Sequence, residues 1–143
     1  MDQSHCTVTQ FKTLENKHKP VVFKELRRIW ENEDRDLPLE KGVYNESNTL
    51  LLDDSPYKAL LNPMDTAIFP YTYKYLDKSD NSLGDGGDLR VYLEELAAAD
   101  SVQEFVRKHP FGQVAITEAS ESRSFYLQVI STLDNSTTSS FCV

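Results

Sequence analysis

The sequence predicts an α/β fold: the second half of a parallel sheet followed by C-terminal helices, with the first strands missing. Three observations point there. Residues 49–53, Thr-Leu-Leu-Leu-Asp, are a run of strand length whose apolar residues do not alternate with polar ones, as expected for a strand buried on both faces of a parallel sheet. Two well-marked helices follow it, "DLRVYLEELAAAD" and the segment opening at Ser101. Only one further strand is visible, and two strands are too few for a free-standing parallel sheet.

Taken in order, "PVVFKELRRIW" from Pro20 sets Val21, Leu26, Ile29 and Trp30 roughly on one helical stripe, predicting a helix that starts near Val22. The polar stretch "ENEDRDLPLEKGVYNES", broken by Pro38 and Gly42, reads as an insertion loop. After the strand at 49–53, Ser55-Pro56 supplies an N-cap with proline at the first helical position, and Asn62-Pro63 ends that short helix. A second strand, Thr66 to Phe69, stops at Pro70. Tyr71, Tyr73 and Tyr75 alternate like a strand face or an aromatic surface, and are read as packing. "SDNSLGDGGD" has the composition of a surface loop. Asp88 is read as the cap of a helix with Leu89, Tyr92, Leu93 and Leu96 as its buried stripe. Ser101-Val102-Gln103-Glu104 is a capping box leading into Phe105 and Val106. Past Gly112 the periodicity weakens; Phe125, Tyr126, Val129 and Ile130 could make one more stripe, and "STLDNSTTSSFCV" reads as disordered. The expected organisation is one domain over 1–118 and a weakly structured tail over 119–143.

Lys and Arg number 15 against 23 Asp and Glu, a net charge of −8, which argues against direct nucleic-acid binding and against an anionic membrane as partner. A cation or a basic peptide suits that balance better. Cys6 and Cys142 lie near opposite ends without metal-ligand spacing and read as reduced intracellular thiols. His5 beside Cys6 is read as neither nucleophile nor zinc pair. No apolar run approaches the roughly 18 residues of a membrane span. No secretory signal is visible at the start, so Asn45-Glu46-Ser47 and Asn135-Ser136-Thr137 are taken as chance sequons.

The candidate chemistry lies at Asp53-Asp54. In open α/β sheets ligands bind beyond the carboxyl ends of strands, where this acidic pair ends the most apolar run. A magnesium ion would offset the mutual repulsion of the pair, and the helix opening at Ser55-Pro56 would favour negative charge there. The competing reading has both aspartates capping the short helix and facing solvent.

"DQSHCT", "KELRRIW", "NTLLLDDSPYKALLNP", "TAIFPYTY" and "GGDLRVYLEELAAADSVQEFVRKHPFGQ" occur in an order and spacing that resembles the carboxyl-terminal part of the FCP/SCP-type phosphatases. These form the NLI-interacting-factor-like branch of the haloacid-dehalogenase superfamily, and the plant-like members resemble this chain most. The resemblance covers roughly residues 2–118. It implies a haloacid-dehalogenase-like, Rossmann-type sheet and Mg-dependent removal of phosphate from phosphoserine or phosphothreonine, often on the RNA polymerase II tail, through an aspartyl-phosphate. Carried over by position, Asp54 corresponds to the magnesium contact and Asp53 holds the charge and hydrogen bonds of the site. Lys24 of "KEL" corresponds to the lysine that neutralises the phosphoryl group, with Lys19 of "HKP" as the other candidate. The chain departs from the family in lacking the Asp-x-Asp-x-Thr/Val nucleophile motif. Its one Asp-x-Asp, Asp34-Arg35-Asp36, follows no apolar strand and is rejected as nucleophile. The start at Met1 then falls inside the family's fold.

The resemblance therefore implies a partial phosphatase domain, inactive alone, with a phosphoprotein partner and a nuclear or cytoplasmic, intracellular location. Alternatives are a non-catalytic interaction module that self-associates through an exposed sheet edge and, last, a domain like the mitochondrial inner-membrane translocase subunit of the same family.

Overall fold

The computed structural model describes residues 5–31, 38 and 40–138, with side chains followed as far as Leu133. Asp34-Arg35-Asp36 and Cys142 lie outside the described residues. Two small sheets and four α-helices make up the described chain, in the order β1 (Cys6–Lys12), β2 (Pro20–Lys24), α1 (Leu26–Trp30), β3 (Leu51–Leu52), β4 (Ala67–Ile68), α2 (Asp88–Ala97), α3 (Val102–Lys108) and α4 (Arg123–Thr138). A short 3-10 helix, Pro56–Ala59, lies between β3 and β4.

β1 and β2 form an antiparallel hairpin pairing Cys6 with Lys24, Thr7 with Phe23 and Val8 with Val22, with an irregularity before Lys12 meets Pro20. Thr9 Oγ1 donates to the Val21 carbonyl at 2.9 Å across it. This corrects the helix expected from about Val22. Val21 and Phe23 are fully buried with Val22 between them half-buried, a period of two. Helix begins only after Glu25, whose backbone is extended at φ −91° and ψ 109°. The apolar spacing of Val21, Leu26, Ile29 and Trp30 fits a strand joined to a one-turn helix as well as it fits one continuous helix.

β3 and β4 pair in parallel, Leu51 with Ala67 and Leu52 with Ile68. β3 is shorter than the run 49–53 and is not buried on both faces: Leu51 is buried, whereas Leu52 is 43 % exposed. Successive strand side chains point to opposite faces, so Leu51 meets the core and Leu52 the uncovered face. No larger doubly wound sheet forms among the described residues.

The first core cluster unites Ile68 of β4 with Leu89, Tyr92 and Leu96 of α2 and Val102 and Val106 of α3, with Leu93 and Phe105 packed against it. The α2 stripe read from the sequence is the one that packs here. Its cap differs, because Gly87 is the N-cap and Asp88 is the first helical residue, its carboxylate accepting from the Leu89 N–H at 2.7 Å. A side chain at position 87 would collide with the Asn81 carbonyl oxygen at 2.0 Å, so only glycine fits. Ser101 caps α3 as its motif predicts, accepting from the Glu104 N–H at 3.4 Å.

The second cluster joins Val21 and Phe23 of β2, Tyr57 of the 3-10 helix, and Tyr126 and Val129 of α4. The segment expected to be a weak tail from residue 119 thus carries a 16-residue helix. Its stripe covers β2, whose apolar face the strand reading requires to be buried. Tyr71, Tyr73 and Tyr75 do not pack; they are 77 %, 69 % and 80 % exposed. The segment that carries them follows Pro70 outside either sheet, so no neighbouring strand gives the rings a face to pack on.

Candidate functional site

Asp53 follows β3 directly, and its N–H donates to the Ile68 carbonyl at 3.3 Å, which holds it to the end of the parallel pair. Lys24 ends β2, and Lys58 lies in the 3-10 helix five residues after Asp53. Asn62 fixes the approach of β2: its side chain accepts from the Leu26 N–H at 2.8 Å and donates to the Lys24 carbonyl at 2.7 Å. The loop that leaves β3 thereby grips the strand that carries Lys24.

These elements converge on one carboxylate whose side chain is 4 % exposed. Lys24 Nζ donates to Asp53 Oδ2 at 2.6 Å. Lys58 Nζ lies 2.9 Å from Oδ1 and 3.3 Å from Oδ2. The Ser55 N–H donates to Oδ1 at 2.9 Å. A carboxylate offers about four lone-pair sites, and these contacts fill them. Burial pushes the Asp53 carboxyl up, but the hydrogen bonds from Lys24 and Lys58, followed by their charges, outweigh it and bring it below its ordinary 3.8.

Asp54 is arranged differently. Its half-buried carboxylate accepts from Ser55 Oγ at 3.1 Å and makes no ion pair among the described residues. Its carbonyl accepts from Gln113 Nε2 at 2.7 Å, and the same amide donates to the Pro70 carbonyl at 3.0 Å. Gln113 therefore ties together the chain segments that leave β3 and β4. Gly112, at φ +75°, makes this possible, since a side chain there would meet the Phe69 carbonyl oxygen at 2.1 Å.

Ser55 does not cap the 3-10 helix with its side chain; Oγ turns to Asp54 instead. Tyr57, in the same 3-10 helix as Lys58, stacks on Tyr126 at 5.1 Å with the rings 4° from parallel. Burial first, then the negative charges of Asp53, Glu15 and Asp54, push the Tyr57 hydroxyl up to about 12. A neutral phenol thus backs the ion cluster.

The structure brings Lys24 and Asp53 together, with Asp54 adjoining. Lys19 lies on the exposed turn between β1 and β2 and pairs with neither aspartate. Lys58 and Gln113 were not anticipated as site residues. A signal for Lys58 exists, as it is the first cation after the acidic pair and sits within a helical turn that folds back on it.

Magnesium binds near-octahedral sets of oxygen donors. Asp53 has its lone pairs committed, and Asp54 is a single carboxylate. No group of three or more His, Cys, Asp or Glu side chains able to hold a metal occurs among the described residues. The residues present do not make a magnesium site by themselves. Lys24 and Lys58 meet the Asp53 carboxylate, and with Asp54 adjoining, the cluster holds two ammonium groups and two carboxylates.

The fold and site thus define a class: a mixed α/β chain with a lysine-clamped aspartate at the carboxyl end of a parallel strand pair. Compared with known proteins, the chain matches no protein-family model, no curated protein and no solved structure.

Proposed function

We propose that the chain is a partial FCP/SCP-like phosphoserine/phosphothreonine phosphatase domain that keeps the phosphoryl-recognising side of its site and lacks the nucleophile. On this reading it binds phosphorylated segments of an intracellular protein, nuclear or cytoplasmic, of the kind found on the RNA polymerase II tail. It does not hydrolyse them alone. The observation that supports the reading is the 2.6 Å contact at the end of β3 between Lys24, which the resemblance assigns to the phosphoryl group, and Asp53, which it assigns to the charge and hydrogen bonds of the site. Catalysis through an aspartyl-phosphate needs a carboxylate free to attack. Asp53 is saturated, and the sequence has no Asp-x-Asp-x-Thr. The magnesium of the complete family would meet only Asp54 here.

The test is an assay of the chain against a small phosphoester with added magnesium, beside the Asp54→Asn variant. The expected result is no turnover by either chain. Turnover by the unaltered chain that disappears in Asp54→Asn would overturn the claim of an incomplete site.

A second reading, a non-catalytic interaction module, is favoured by one observation: β3 pairs only with β4 among the described residues, leaving its other edge without a strand.

A further inference from the structure

An open cavity of about 470 Å³ lies just past the carboxyl end of β4, with Pro70 in its wall. Its apolar lining, Pro70, Leu89 and Phe111, is buried or half-buried, whereas Asp77, Asp80 and Asp88 on the same cavity are exposed. The cavity therefore has an apolar base and an acidic rim. Each rim carboxylate uses Oδ1 within its own loop: Asp77 accepts from the Ser79 N–H at 3.0 Å, Asp80 from the Ser82 N–H at 3.0 Å and Asp88 from the Leu89 N–H at 2.7 Å. Their Oδ2 atoms make no hydrogen bond or ion pair among the described residues. Lys74 shares the lining, yet over residues 71–94 five carboxylates stand against three cations, so net negative charge remains. A second observation is independent of charge. Tyr71 lines the cavity, and Tyr73, Tyr75 and Leu76 lie between it and Asp77; all four are largely exposed. Neither core cluster and neither sheet takes them up, and exposed apolar groups gathered beside a cavity mark a binding surface.

We infer that this cavity docks an extended basic segment of a partner protein, with arginine or lysine stems on Pro70, Leu89 and Phe111 and their cationic heads at Asp77, Asp80 and Asp88. Long cationic side chains join an apolar stem to a charged head, the same pairing that base and rim present. The Oδ2 atoms can accept charge-assisted hydrogen bonds, and the exposed Tyr71 ring offers a face to a guanidinium. The net charge of −8 draws a basic partner and opposes a second copy of the chain. The inference goes beyond the phosphatase reading and does not depend on it, since neither Lys24 nor a phosphoryl group enters.

The experiment is a fluorescence-anisotropy titration of the full chain with a dye-labelled, unphosphorylated peptide of alternating arginine and alanine, beside its counterpart with glutamate for arginine. It is repeated on Asp77→Asn/Asp80→Asn, in which asparagine keeps the Oδ1 acceptor that the loop uses, and on Tyr71→Ala. A control, Glu46→Gln/Glu121→Gln, removes the same charge from exposed positions outside the cavity. The expected result is saturable binding of the arginine peptide alone, weakened about tenfold in the aspartate variant and about threefold in Tyr71→Ala, and unchanged in the control. Equal weakening in the aspartate variant and the control would show attraction to overall charge and overturn the docking site. No binding would overturn it too. Self-association in sedimentation velocity that the aspartate variant loses, with no peptide bound, would assign the cavity to a second copy and overturn the basic partner. Should the aspartate variant fail to fold, Tyr71→Ala against the control decides: selective weakening supports the site, and equal binding overturns it. The peptide carries no phosphate, so failure here leaves the Lys24–Asp53 reading standing.

Discussion

Asp53 is where sequence, burial and charge meet. Its carboxylate is held by Lys24, Lys58 and the Ser55 N–H, so replacing it with asparagine leaves two ammonium groups facing a neutral amide. Breaking a buried pair costs several kcal/mol, less where the cations reach solvent as these lysines do; Asp53→Asn is expected to lose about 2 kcal/mol in denaturant unfolding. The pH dependence follows from the lowered carboxyl. Its stabilising contribution is complete above the ordinary value of 3.8 and is lost as pH falls through the lower folded value. An acid titration of stability should therefore decline below about pH 4 in the unaltered chain and be flatter there in Asp53→Asn. An equal decline in both would show that other carboxylates govern acid unfolding. Of these residues, Lys24 and Asp53 were legible through the quoted motifs. Lys58 was not, because burial of a lysine depends on the turn that folds it back, and "SPYKA" reads as readily as an exposed helix face.

Elements held by local rules were legible, and those held by distant partners were not. The α2 stripe and the Ser101 cap follow from spacing within one turn or two. β1 left little trace, since "CTVTQFK" buries Thr9 and exposes Val8, the reverse of an apolar alternation, and its pairing with β2 is visible only once the hairpin has closed. α4 was half-legible: Phe125, Tyr126, Val129 and Ile130 gave the stripe, whereas the Ser- and Thr-rich end argued for disorder. Its value to the fold is the cover it gives Val21, Phe23 and Tyr57. Tyr126 is 1 % exposed, and its hydroxyl, buried, has no partner among the described residues. Tyr126→Phe keeps the stack on Tyr57 and removes an unsatisfied polar group, so it is expected to leave stability unchanged or raise it by about 1 kcal/mol. Tyr126→Ala opens a cavity and should cost about 3–5 kcal/mol. Thermal unfolding of the two variants checks this, and a large loss in Tyr126→Phe would mean that the hydroxyl has a partner.

At the scale of the whole molecule, two core clusters flank the site, one built on β4, α2 and α3 and the other on β2, the 3-10 helix and α4. Asp53 with its two lysines, Asn62 and Gln113 stitch the elements of the two together. The outer surface keeps exposed apolar groups, among them Val8, Leu52, Met64 and Leu76. Together with the open edge of β3 they lead us to expect concentration-dependent association in sedimentation velocity, weakened by Leu52→Lys. A single monomer species at all concentrations would count against the interaction-module reading. The central claim is that the chain recognises a phosphoryl group without turning it over. The measurement that tests it most directly is a two-dimensional NMR titration with a phosphoserine peptide, following the amides around Lys24, Asp53 and Lys58 and the phosphorus signal together. The expected result is saturable shifts at those amides, absent with the unphosphorylated peptide and in Lys24→Met, while the phosphorus signal of the monoester persists. No shifts at those amides, or release of inorganic phosphate, would contradict it.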